Sequence, residues 1–262
     1  MVTFFCFLHV REMNLILNLK YNIMKTNSSF YFRNFILIIA ISLFLFSCKK
    51  ENEDLSKGFS DDIENFVPDS TIQALRDLGM IINEGKEPSM LEGAFLATPY
   101  IMLSTSVPDD SYVSGDRFAD YKYYLKNQDN ETLTLEVDTE GISSGNVFTR
   151  SEGNGAFISG YEEEFTVFVI LESERYMSGG DTSFARTLEV ISGTIAQDGI
   201  HNFQAAILML DDYGDEFDHY IPINTGRLFE DGDSIAYRDG FGNMKKSSII
   251  NERLPLIWEH PE

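Results

Sequence analysis

Cysteine is nearly absent: the 262 residues hold two, Cys6 and Cys48. With so few thiols there is no disulfide framework and no cysteine cluster for a metal, so any fold must rest on apolar burial. Basic residues are also scarce, 20 Lys and Arg against 42 Asp and Glu, for a formal net charge of −22. A surface so acidic excludes nucleic acid and anionic headgroups as direct partners, because both require basic clusters. Long apolar runs are missing too. The run Phe35 to Phe46 (FILIIAISLFLF) would rise roughly 18 Å as a helix, short of the roughly 30 Å hydrocarbon core. Of the histidines, His201, His219 and His260 show neither H-x-x-x-H nor H-E-x-x-H spacing, so no zinc site is indicated. Walker A and dinucleotide-binding glycine patterns are absent, and no cofactor is expected.

What is present begins with an address. Lys25 and Arg33 precede the short apolar run, which ends at the small residue Ser47 followed by Cys48 and then Lys49-Lys50. A basic segment, a short apolar segment and a small residue form the pattern of a secretory signal peptide. A signal over 24–47 that starts at Met24 has the usual form. Residues 1–23 scatter Arg11, Glu12 and Lys20 among apolar positions and read as a start assigned too far upstream.

The stretch Leu45-Phe46-Ser47-Cys48 resembles the lipobox of bacterial lipoproteins, with Phe46 bulkier than is usual there. The resemblance implies cleavage before Cys48, diacylglycerol on its sulfur and acylation of the new amino group. At about 0.8 kcal/mol per buried methylene, two or three chains hold far more firmly than one. Residues 48–68 (CKKENEDLSKGFSDDIENFVP) read as a flexible polar tether. About twenty such residues span roughly 25 Å. Lys49, Lys50, Glu51, Glu53 and Asp54 look like the tether that carries lipoproteins of Bacteroidota type to the outer membrane and onward to the cell surface.

The rest, 69–262, reads as one β-rich domain. Asp69 or Ser70 can cap a short helix with Ile72, Leu75 and Leu78 on one face, and Gly79 can end it. Beyond it the apolar period becomes two. Strands are expected near 91–97, 100–106, 117–127, 131–138, 155–160, 165–173, 186–196, 200–211 and 225–229, with a further pair at 234–238 and 247–251. Asp198-Gly199 between two alternating runs predicts a long hairpin over 186–211.

The expected fold is mainly β, an antiparallel up-and-down meander of about eight strands behind one short helix. Closure as a barrel would remove sticky edges, and a two-sheet sandwich is the alternative. Over roughly 90–230 this layout resembles the calycin barrels, the lipocalin and avidin group, although Glu92-Gly93-Ala94-Phe95 stands where lipocalins carry Gly-x-Trp. The helix followed by Glu-Gly-x-Phe-Leu is also similar to outer-membrane and surface lipoproteins of Bacteroidota type; that resemblance implies location, not activity.

Four features carry candidate chemistry. Gly141-Ile142-Ser143-Ser144-Gly145 matches the G-x-S-x-G of a hydrolase elbow, but the residues after it are not helical, and a Gly/Ser-rich loop is expected instead. Asp212, Asp215 and Asp218 crowd oxygens into one turn and are a calcium candidate, off the EF-hand spacing. On strand 117–127, Ala119, Tyr121, Tyr123 and Leu125 share one face and Phe118, Asp120, Lys122 and Tyr124 the other. In a barrel Tyr121 and Tyr123 could therefore line a pocket. The terminal LPLIWEHPE could serve as a docking element.

No catalytic residues emerge. The expected function is non-enzymatic: a lipid-anchored outer-membrane or cell-surface module that binds a small molecule, a glycan or a protein. A structural or adhesion subunit is the alternative, and an extracellular hydrolase comes third. An empty interior favours binding, a filled one a structural part, and paired carboxylates in a cleft the hydrolase.

Overall fold

The computed structural model describes residues 54–177 and 179–239. The leader, Cys48, the start of the tether, the expected strand at 247–251, His260 and the LPLIWEHPE stretch lie outside the described residues. Among the described residues no helix is long and apolar enough to cross a membrane.

Two helices come first, α1 (Asp61–Phe66) and α2 (Asp69–Asp77). The first lies within the span read as flexible tether. Ser60 accepts a hydrogen bond from the Ile63 amide, the first turn carries Asp61, Asp62 and Glu64, and Ile63 and Val67 are fully buried. Phe59, Ile63, Phe66 and Val67 stand at helical spacings of four and three, a short signal that the polar residues around it hid. The second helix ends as Gly79 predicts. With Gly79 at φ 95°, its amide bonds the Arg76 carbonyl and the Met80 amide bonds that of Leu75.

Twelve strands follow: β1 (Lys86–Pro88), β2 (Gly93–Ala97), β3 (Tyr100–Thr105), β4 (Arg117–Phe118), β5 (Asp120–Asp129), β6 (Thr134–Ser143), β7 (Asn146–Glu162), β8 (Glu164–Tyr176), β9 (Thr182–Ile195), β10 (Gly199–Asp211), β11 (Gly226–Asp231) and β12 (Ile235–Asp239). All belong to one mixed sheet, not to two separately paired sheets. From β5 to β10 consecutive strands pair antiparallel, as a meander should. The expected hairpin is present, with Ile200 opposite Ile195 and Leu208 opposite Leu188.

The order then departs from a simple meander. One edge of β10 is shared: Gly199–His201 pairs with β12 and Gln204–Leu208 with β11. Because β12 also pairs with β2, and β2 with β5, the pairings β2-β5-β6-β7-β8-β9-β10-β12 return to β2 as a ring of eight strands. Strands β11, β3 and β4 continue from the other half of β10. The division falls where two chain segments corner together: Gly232 donates its amide to the Pro99 carbonyl, and buried Asp231 accepts from the Thr98 amide.

The short parallel strand β1, against β7, is not legible in the sequence. It depends on Gly85, at φ 136°, whose Cβ would stand 2.4 Å from the Gly160 carbonyl oxygen. Only glycine permits that approach.

Apolar side chains form two bodies. One, inside the ring, includes Phe95, Leu125, Val137, Ile158, Phe165 and Phe203. The other lies on the outer face of β8 to β11, where Phe168, Leu188, Val190, Ala206 and Leu228 meet Ile63, Val67, Ile72 and Leu75 of the helical segment. Phe59 meets Phe168 edge-on at 5.9 Å between ring centres. The helices thus cover the outside of the ring and leave its interior to the strands.

Candidate functional site

The inner core is not continuous. Towards the end of the ring where β11 and β3 run, it gives way to a cavity of about 550 Å³. Its walls come from β3 to β5, β7 to β11, and the loops 111–112 and 218–221.

On β5 the predicted alternation holds from Tyr121 to Leu125, with Tyr121 on the cavity wall and Tyr123 and Leu125 buried in the core. Tyr123 lies behind the wall instead of lining it, which corrects the expectation for that residue. A second correction concerns Phe118, assigned to the opposite face yet part of the wall. Ala119 separates β4 from β5, and Phe118 pairs with Tyr100 of β3, so the period of two does not carry across the break.

The deep end is a chain of buried hydroxyls and one carboxyl. The Tyr123 hydroxyl donates to Glu189 Oε1 at 3.0 Å and meets the Tyr100 hydroxyl at 3.1 Å. Glu189 is 3% exposed, and Tyr123 is its hydrogen-bond donor among the described residues. Burial pushes its carboxyl from the ordinary 4.5 up to about 7, against the opposing effect of the Tyr123 bond. Burial, and next the charge of Glu189, hold Tyr100 and Tyr123 well above the usual phenol value and raise Tyr121 as well.

Aromatic rings form one part of the wall and polar side chains another. Tyr100 stacks on Phe229 at 4.6 Å, Phe118 meets Phe229 edge-on at 5.1 Å, and Tyr121 meets Phe148 edge-on at 6.4 Å. Phe148 explains the G-x-S-x-G match. A Cβ on Gly141 would lie 2.7 Å from the Phe148 ring, so the first glycine makes room for a wall residue. Ser144 and Gly145, at φ 51° and 78°, form the two-residue turn between β6 and β7. The motif is a hairpin: Gly141 to Ser143, expected in a loop, end β6, and the non-helical residues after Gly145 are β7.

Two arginines reach the wall. Arg227 is committed: it holds Asp110 with Nε at 2.8 Å and Nη2 at 2.7 Å, and it packs on Tyr112 and Phe118. Arg175 makes no ion pair among the described residues, and its guanidinium lies 5.4 Å from the centre of the Phe148 ring. At the rim, Asp215 accepts the amides of His219 and Tyr220, which shapes the loop that brings Asp218, His219 and Tyr220 to the cavity. The Tyr220 hydroxyl meets Ser183 at 3.0 Å. Asp212 accepts the Gly214 amide. Among the described residues no three His, Cys, Asp or Glu side chains are placed to hold one metal ion, and that includes Asp212, Asp215 and Asp218. His201, by contrast, lies away from the cavity beside Asp198 at 2.8 Å.

Tyr121 was readable from the sequence; Glu189, Arg175, Tyr100 and Phe148 were not singled out. One signal was available for Glu189, a lone carboxylate between Leu188 and Val190 in a strand-like run. Arg175 carries no such mark, since its neighbours in ESERY are polar. Compared with models of protein families, with curated proteins and with solved structures, the chain matches none.

Proposed function

We propose that this chain is a non-enzymatic binding protein, anchored by lipid on Cys48 to the outer membrane and displayed at the cell surface, whose ring of eight strands closes as a calycin-like barrel around a small ligand. The observation that carries the reading is the cavity of about 550 Å³ inside an otherwise packed ring. That volume falls within the roughly 300–1,000 Å³ of small-molecule sites, and mixed aromatic and polar walls suit such a site. A structural subunit would call for a filled interior. The signal-like segment and Cys48 support the address, and the acidic balance suits a solvated protein outside the cell.

The test fills the cavity. Ala119 lines it, and Ala119→Trp places an indole in the space while leaving the outer core untouched. A library of metabolites and short oligosaccharides, screened by thermal shift on the protein purified in non-ionic detergent, should contain compounds that raise the Tm of wild type and leave Ala119→Trp unmoved. If every compound acts equally on the two proteins, the cavity is not a binding site.

A further inference from the structure

We propose that the cavity takes an elongated organic acid, its ring system against the aromatic wall and its acidic group on Arg175. The proposal rests on the binding reading above and deepens it by naming the ligand class.

The first support is an imbalance of charge. In a chain with 42 acidic and 20 basic residues, an arginine would be expected to find a carboxylate. Arg227 has done so, with two hydrogen bonds to Asp110. Arg175 has not, although it is half-buried and Asp218 lines the same cavity. Its planar donors, packed over Phe148, are set for an acceptor that the described residues do not supply. Carboxylates are bound by arginine through two parallel hydrogen bonds, which lysine cannot reproduce.

Direction comes from the opposite end. Glu189 faces Val169 across β8 and β9, whereas Arg175 faces Ser183, six positions along. At about 3.4 Å per residue their backbone positions lie roughly 20 Å apart along the strands, and their side chains shorten that span. Both side chains line the same cavity. A buried carboxyl at its floor rejects an acidic end and accepts a hydroxyl or amine. The acid therefore stays at Arg175, and the donor end points to Glu189. Between them the Tyr121 hydroxyl has no hydrogen-bond partner among the described residues and offers a further contact.

A matched pair of rigid probes tests this. 4′-Hydroxybiphenyl-4-carboxylate carries an acid at one end and a phenol at the other; its 4-carboxamide is the same shape without the charge. Isothermal titration on wild type, in non-ionic detergent at pH 7, should show the acid binding at least about tenfold more tightly than the amide, the scale of one charge-assisted hydrogen bond. Arg175→Gln should bring the ratio to about one, with the larger loss on the acid, while Arg175→Lys keeps part of the preference. The near-ultraviolet dichroism of each variant checks folding, and the lysine variant keeps the test open should Arg175→Gln fail to fold. Equal binding of acid and amide to wild type, or a ratio unaffected by Arg175→Gln, overturns the acid class and leaves the binding cavity standing. Binding of neither probe also overturns it, and the cavity itself is then judged by the Ala119→Trp comparison.

Discussion

Replacing Glu189 by Gln should stabilise the protein, and only above mildly acidic pH. The carboxyl titrates at an ordinary 4.5 when the chain is unfolded and at about 7 when folded. Between those values the folded state binds more protons than the unfolded one, so stability falls as pH rises through the window and levels off above pH 7. At roughly 1.4 kcal/mol per pKa unit the loss comes to about 3 kcal/mol. Gln keeps the shape and still accepts from the Tyr123 hydroxyl, but it cannot ionise.

Urea unfolding from pH 4 to pH 8 should thus show Glu189→Gln equal to wild type near pH 4.5 and about 3 kcal/mol more stable at pH 8. In Tm the gain at pH 8 is roughly 6–12 °C for a domain of this size. The phenols that face Glu189, Tyr100, Tyr121 and Tyr123, all sit above their usual range and do not titrate in this window. His219 and Arg175 on the cavity wall, and the many surface carboxylates, are common to both proteins and cancel in the difference. Tyr123→Phe should move the wild-type transition upward, since the Tyr123 bond opposes the rise. A difference between wild type and Glu189→Gln that does not vary with pH would refute the assignment of a buried, protonatable floor.

Two other outcomes are expected. Asp110→Asn should cost about 3 kcal/mol at pH 7, because it leaves the Arg227 guanidinium, 17% exposed, without its anion. Arg227 holds the Asp110 carboxyl well below the usual carboxylate range, so this contribution is full above pH 4 and fades as pH falls further, and the gap between wild type and variant should narrow steadily in unfolding curves below pH 4. Growth with an alkyne fatty acid should label wild type and not Cys48→Ala; equal labelling of both would remove the lipid anchor.

The helix after Pro68 was legible because three apolar residues at spacings of three precede a glycine, but the expected cap by Asp69 or Ser70 is corrected: Pro68 is the N-cap and no side chain caps the first turn. The 186–211 hairpin was legible because Asp198-Gly199 joins two alternating runs. These are local signals, and each element needs only its own neighbours to declare itself. The helix at Asp61–Phe66 escaped because it is held by Phe168 and Phe157, about a hundred residues away.

By itself, then, the sequence determined the β character, the antiparallel run of the central strands, the thiol-poor acidic chemistry and the inward face of β5. Tertiary structure alone decided which strands close the ring, since β10 divides its edge between β11 and β12 and no local period encodes a divided edge. It also decided the site. Tyr100, Tyr123 and Glu189 belong to β3, β5 and β9, and their meeting at one buried point follows from long-range strand register, a property of the assembled sheet.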